Sequence, residues 1–279
     1  NVDFTGANIE NNSFARTDIR HTNLTNMDFK DQRFNKSFIY QSNLSNTTFE
    51  NIDFTGSAFG KNNLSGASFI NSDFSDSTIG DQVLTMVDFT GSKFFKTNFY
   101  NVYFNGTDFS NMDIKRAKFA LTTLENINFK NTDLTGVDLT GKIYGGKELP
   151  GAIIFKSDLS HTDMSKILFY TYSSNTNDHS EIHRLNDETK AQLKFSSPKI
   201  FNSNLSNVNL SNVVMPYVEI YSSDLSNADL SNTNLIGAEL KNIDLSGANL
   251  NGANLNGANL IDLKLDGTML NCVNHPICN

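Results

Sequence analysis

The chain has 279 residues, 22 basic and 30 acidic side chains, a net charge of −8, and two cysteines. No stretch approaches the roughly 18 consecutive apolar residues of a membrane span, and no basic face appears, which argues against a spanning role and against nucleic acid as a direct partner. Two cysteines, Cys272 and Cys278, cannot build the disulfide framework of a small secreted scaffold, so the core has to supply the stability.

From Phe4 to Leu139 every fifth residue is a large apolar side chain: Phe4, Ile9, Phe14, Ile19, Leu24, Phe29, Phe34, and so on without exception to Phe129, Leu134 and Leu139. A step of five fits neither the 3.6 period of a helix nor the alternation of an ordinary strand, and is an internal repeat. Two residues before each centre the side chain is small or medium, as at Ser42, Ser57, Ala67, Thr97 and Ala117, and is expected to point inward with it. Two residues after come Asn26, Asn46, Gly56, Gly66, Asn71, Gly91 and Gly136, types that accept positive φ at a corner. Every twentieth residue then falls in a like column, such as Phe29, Phe49, Phe69, Phe89, Phe109 and Phe129. Four units therefore make one turn of a coil, each turn about 4.8 Å above the last, and the seven turns up to Leu139 rise roughly 34 Å.

In this repeat the chain resembles the pentapeptide-repeat proteins, whose motif is A(D/N)Lxx. The closest local matches are Ala228-Asp229-Leu230-Ser231-Asn232, Ala248-Asn249-Leu250-Asn251-Gly252 and Ala253-Asn254-Leu255-Asn256-Gly257. The resemblance implies an all-β fold, a right-handed quadrilateral β-helix.

Residues 1–140 form the first solenoid segment. Gly141 to Gly151 has the glycines and proline of a loop, yet Ile154, Leu159, Met164 and Phe169 keep the count of five, so 141–169 is read as a loop followed by a further turn. The phase breaks before Ile200, making 170–199 an insertion. Within it Ser180 to Leu193 places Ile182, Leu185 and Leu193 on one stripe, with Asp178 or Ser180 as N-cap and Pro198 beyond the end, which predicts a short amphipathic helix against the solenoid wall. The second segment, 200–270, replaces phenylalanine at the centres with leucine over inward alanine, and predicts a narrower bore. The tail 271–279 leaves the repeat and is expected to cap the coil or lead into a further domain. Because the chain begins inside a repeat, it is expected to be part of a longer protein.

The charge divides as −4, +1 and −5 over 1–140, 141–200 and 201–279. Asp53, Asp73, Asp88, Asp108, Asp133 and Asp138 each directly precede a centre, where a carboxylate hydrogen-bonds the corner backbone, so structure rather than catalysis accounts for them. Cys272, His275 and Cys278 offer three soft ligands, but structural zinc takes four, and two ordinary thiols are the default reading. His21, His161, His179, His183 and His275 are scattered, and no catalytic constellation, cofactor motif or metal site is assigned. The position after a centre faces solvent, and Tyr40, Phe95 and Tyr100 are aromatic there. Phe95 and Tyr100, with Tyr103 and with Tyr170 and Tyr172 at the start of the insertion, are the candidate partner-binding residues.

The reading is a non-catalytic protein-binding module. The repeat, the helical insertion and the unfinished C-terminus are similar to the N-terminal β-helix of HECT-like ubiquitin-ligase effectors of the SopA and NleL type. That resemblance implies secretion into a host cytoplasm and a protein partner, a host RING-type ligase or a ubiquitination substrate. The alternative is a topoisomerase-binding pentapeptide protein of the quinolone-resistance type, working in the bacterial cytoplasm and imitating the shape and charge of a DNA duplex. A β-helical carbohydrate enzyme is a third class that no residue set here supports.

Overall fold

A five-residue unit cannot satisfy its own backbone, because its N–H and C=O groups point along the coil axis and pair with the unit one turn away. Ile39 accordingly stands over Ile19, and Phe59 over Ile39, in parallel register. The computed structural model describes residues 2–3, 13–130, 132–140, 143–144, 147–148, 151–167, 190–191, 194 and 196–278. The expected centres Phe4, Ile9 and Phe169 lie outside them. The protein is a right-handed, all-β solenoid of about 11 turns with almost no helix.

The four walls are set by the columns of centres. The first carries Ile19, Ile39, Phe59, Ile79 and Phe99; the second Leu24, Leu44, Leu84, Phe104, Leu124, Ile154, Ile200 and Ile220; the third Phe29, Phe49, Phe69 and Phe89; the fourth Phe34, Phe54, Phe74 and Phe94. Within a wall the rings stack, Phe49 on Phe69 with centroids 4.9 Å apart and Phe54 on Phe74 at 4.8 Å. Between walls they meet edge to face, as Phe69 and Phe74 do at 5.4 Å. One 12-stranded sheet runs from Asp18–Arg20 to Asn259–Lys264 and crosses from the first wall to the second through two long strands, Thr78–Thr85 and Asn98–Asn105.

Corners come in two kinds. At closed corners the inward residue bonds back to the preceding centre, as Met27 N–H does to Leu24 C=O, with Asn26 at φ 58°, the signature of a type II turn. At open corners that bond is missing, and the orphaned amide takes a side chain from the coil above. Thr22 N–H donates to Ser42 Oγ, Ser42 N–H to Asn62 Oδ1, and Asn62 N–H to Gln82 Oε1. These inward polar side chains are buried, and the ladder is why Ser, Asn and Gln occupy sites where alanine would pack. The six aspartates before centres do accept the corner amide two residues on, Thr55 N–H to Asp53 Oδ1 at 3.0 Å and likewise for Asp73, Asp88, Asp108, Asp133 and Asp138.

Two excursions lengthen the coil step from 20 residues to 30 and then 46 without breaking the sheet. The first is closed at its root by Ala152 N–H bonding Leu139 C=O at 2.8 Å and contains a short antiparallel pair, Ile143–Tyr144 with Lys147–Glu148. The second leaves after Ile167 and returns at Lys199–Phe201. Of the predicted helix only Lys190 and Ala191 are described, both helical, as are Lys194 and Ser196; the remainder of Ser180–Leu193 lies outside the described residues. The two roots touch: a Cβ on Gly151 would lie 2.5 Å from the Ser196 carbonyl and 2.7 Å from Pro198 N.

One expectation is corrected at the C-terminal end. Cys272 and Cys278 are not two ordinary thiols but are joined in a disulfide, which also rules them out as free thiolate ligands. The cause is a slip in the repeat. Gly252 N–H still bonds Asn271 C=O at the usual step, but Leu255 N–H bonds Val273 C=O one residue early, and Val273 pairs with Asn254. Cys272 thereby takes the inward place that Ala253 holds one coil below, within reach of the returning chain.

Candidate partner-binding surface

The outward positions separate the walls. On the third and fourth walls they carry chiefly Asp, Asn, Ser, Thr and Lys, with Ile70, Phe95 and Met269 as apolar breaks. The first and second walls carry Phe38, Tyr40, Tyr100, Val83, Tyr103, Phe155, Phe201, Tyr221 and Ile261.

Of the candidates named from sequence, Tyr100 and Tyr103 sit on one strand, Asn98–Asn105, on either side of the corner residue Asn101 at φ 50°. They share the edge between the first and second walls. Phe95 is on the fourth wall, half-buried, with the Lys96 ammonium 5.1 Å from its ring centroid. Tyr170 and Tyr172 lie outside the described residues.

Glycine explains how Tyr40 lies flat on the first wall. Gly60 occupies the solvent-facing place after a centre, and a Cβ there would be 2.3 Å from Tyr40 Cε1, so the Tyr40 ring folds along the wall over bare backbone. A Cβ on Gly80 would be 3.6 Å from Tyr100 Cδ1, an ordinary contact. Around the corner, Val83 pairs in register with Tyr103, and both line a shallow groove of about 470 Å³ with Lys61, Asp81, Asn101 and Thr123. Tyr103 donates its hydroxyl proton to Glu125 and accepts from Asn105 Nδ2 at 3.2 Å. The Glu125 bond raises the Tyr103 phenol above the usual tyrosine value and fixes the ring on the second wall.

Lower on the second wall Phe155, Phe201, Tyr221, Lys241 and Ile261 stand in one continuous register. Phe201 and Tyr221 have ring centroids 5.4 Å apart. A parallel column holds Lys199, Glu219 and Glu239, with Lys199 Nζ 2.5 Å from Glu219. Glu239 accepts from Tyr221 Oη at 2.5 Å and from Lys194, which ties the end of the second excursion to this wall. Those bonds to Lys194 and Tyr221 lower the Glu239 carboxyl, while burial and then Glu239 push the Tyr221 phenol up. A second groove of about 710 Å³ follows, lined by Tyr221, Glu239, Lys241, Asn259 and Ile261.

Sequence reasoning did not single out Phe38 and Val83, 56% and 62% exposed, or the column of Phe155, Phe201 and Tyr221. The signal was present: all three aromatics break the rule for the position after a centre, and Phe38, Val83 and Tyr103 break the Asp/Asn rule before one. Among the described residues no group of three His, Cys, Asp or Glu side chains is placed to hold a metal ion, and no helix is long and apolar enough to cross a membrane.

A four-walled coil of five-residue units, with most of its outward aromatics on two of the walls, defines a solenoid scaffold. The sequence matches the family model for pentapeptide repeats in eight copies, over residues 1–35, 13–51, 39–76, 81–111, 113–141, 201–232 and 223–262, and the chain belongs to that family. The unmatched stretch between 141 and 201 holds both excursions. Similar solved structures include HetL, a pentapeptide repeat protein involved in heterocyst differentiation regulation from Nostoc sp. strain PCC 7120, at 18% identity, covering 90% of this chain and 88% of that one, with TM-score 0.26. QnrB1, a plasmid-mediated fluoroquinolone resistance protein, is 17% identical over 90% of this chain and 92% of its own, with TM-score 0.28. A pentapeptide repeat protein from the Arabidopsis thaliana thylakoid lumen is 16% identical over 63% and 77%, with TM-score 0.21. No curated protein matches the sequence.

Proposed function

We propose that this chain is a non-catalytic protein-binding scaffold that docks its partner along the edge between the first and second walls. The observation that carries the reading is the concentration of outward aromatics on those two walls, Phe95 apart, and both excursions rejoin the coil there. A rigid surface with aromatic anchors on a polar molecule has the composition of a protein interface. The test is a photo-cross-linking amino acid placed at Tyr103 and, separately, at Ser110 on the third wall. Cross-linked protein species at the first site and none at the second support the reading; equal labelling overturns it.

In its narrower form the scaffold recruits the partner or substrate of a secreted HECT-like ubiquitin ligase acting in the host cytoplasm. Binding of a purified host RING domain, weakened by Tyr100→Ala with Tyr103→Ala, is the expected result. The carboxylates on the third and fourth walls support a second reading, a DNA-duplex mimic that binds a topoisomerase. Inhibition or protection of gyrase supercoiling at low micromolar protein would favour it over the first.

A further inference from the structure

The slip at Leu270–Val273 does more than bring two cysteines together. One coil below the end, the centres Leu240, Leu245 and Leu250 are buried, whereas in the last coil Leu260, Leu265 and Leu270 are only half-buried. Cys272 points inward and is 5% exposed, and Ile277 and Cys278 pack against the core cluster. Apart from the disulfide, the turn is held by few polar contacts. Among the described residues they are Leu255 N–H to Val273 C=O at 3.1 Å, Val273 N–H to Ala253 C=O at 2.8 Å, Asn274 Nδ2 to Asn254 Oδ1 at 3.1 Å, Cys278 N–H to His275 C=O at 3.0 Å, and Ile277 N–H to His275 Nδ1 at 3.2 Å. The last two are internal to the turn and do not attach it to the coil. Beyond Val273 and Asn274, the turn is attached to the coil through the disulfide and the packing of Ile277 and Cys278 against the core.

We propose that the Cys272–Cys278 disulfide is a redox-operated latch that holds the 274–278 turn against the coil. A thiol reductant attacks one sulfur of the bond, a second thiol resolves the mixed disulfide, and the net change is two reductant thiols converted to one disulfide while Cys272 and Cys278 each gain a proton and an electron. Cys272 stays inward as a small apolar side chain. Cys278, no longer held, swings out with Ile277, and the turn leaves the core. The bridge closes a loop of only seven residues and so restricts the unfolded chain little, and its removal leaves the rest of the coil folded. The turn is thus docked in an oxidising compartment and released in a reducing one.

Amide hydrogen exchange with and without dithiothreitol, alongside iodoacetamide labelling, tests this. On reduction, exchange at Cys278 and Val273 should rise roughly tenfold or more while Leu225 and Leu245 stay unchanged. Cys278 should then alkylate faster than Cys272. Cys278→Ser should show the fast exchange without reductant and no further response to it. Labelling of both cysteines before reduction, unchanged exchange after it, or melting of the whole coil on reduction would each overturn the latch, the last by making the bridge a staple of the fold.

Discussion

Between Phe14 and Leu139 the bore is filled by stacked phenylalanines, and the inward place before a centre is often Ser, Thr, Asn or Gln; from Ile200 to Leu255 it is filled by leucine, with Ala, Val or Thr behind. The two halves continue one sheet, so the backbone does not require either filling. What differs is where the open corners fall. In the first half Thr78–Thr85 and Asn98–Asn105 turn the first corner as continuous strands; in the second, Glu239–Asp244 and Asn259–Lys264 turn the next one. Open corners leave amides to be satisfied from the coil above, and the polar inward residues follow them: Ser157 N–H to Ser203 Oγ and Ser203 N–H to Ser223 Oγ do in the leucine half what Ser42, Asn62 and Gln82 do in the phenylalanine half. Centre identity and corner chemistry are therefore separable.

The largest effect that tests this separation is expected at a centre. Phe69 is 1% exposed, stacked on Phe49 and Phe89 and edge-on to Phe74. Phe69→Ala should cost about 3–5 kcal/mol, since rings fixed on every side cannot collapse into the gap. Lys61→Ala, which removes an exposed pair with Asp81 at 3.9 Å, should cost less than about 1 kcal/mol. Equal losses of melting temperature would sink the assignment of the columns to the core.

Next comes corner chemistry. Asn62→Leu leaves the Ser42 N–H without its acceptor and removes the Asn62 Nδ2 bond to Ile39 C=O; with a buried donor unsatisfied, about 1–3 kcal/mol is expected from denaturant unfolding. Ser203→Ala should cost a similar amount in the leucine half. A large cost for the first and none for the second would tie the ladder to the phenylalanine filling rather than to the open corner.

How much of this could be read beforehand follows from what repeats. The centres, the positive-φ positions and the corner aspartates recur every five residues, and each was legible because a periodic constraint shows itself many times; Asn26, Asn46, Gly56, Asn71 and Asn101 all have positive φ. Corner type was not legible, because Ser at an inward site can satisfy its own corner, as Ser37 Oγ does to Phe34 C=O, or the coil below, as Ser42 does. The disulfide was missed because it depends on a one-residue slip at Cys272 that the five-count cannot anticipate. At the candidate surface, Tyr100 and Tyr103 were legible as exceptions to the pattern, while Gly60, which leaves room for the Tyr40 ring, acts across coils and is silent within one unit.

A smaller effect, of opposite sign, is expected at Leu121, which occupies a corner at φ 52°. A branched apolar side chain is strained in the left-handed region, and Leu121→Asn should raise stability by about 0.5–1 kcal/mol. In the second half Tyr217 also has a positive φ, 58°, but its ring fills the place above Gly237, so Tyr217→Asn should lose packing and gain nothing. Two gains, or two losses, would mean that the corners of the halves are not distinguished by what lies over them.

The subtlest difference concerns charge. Exposed pairs such as Lys30 with Glu50 at 3.0 Å decorate the first half, whereas in the second Glu239 binds both Lys194 of the excursion and Tyr221 of the wall. Hydrogen bonds from Lys194 and then Tyr221 favour the ionised carboxylate and hold Glu239 below its ordinary value of 4.5. With the folded value depressed, the contribution of this group is complete above 4.5 and is lost only as pH falls through the lower, folded value. The nitrogen-15 shift of the Lys194 ammonium should therefore stay flat from neutral pH to about 5 and titrate below the ordinary glutamate range, and Glu239→Gln should abolish that titration. A midpoint at or above 4.5 would show that the end of the excursion is not tethered to the second wall in solution, leaving the Phe201–Tyr221 column open along its whole length.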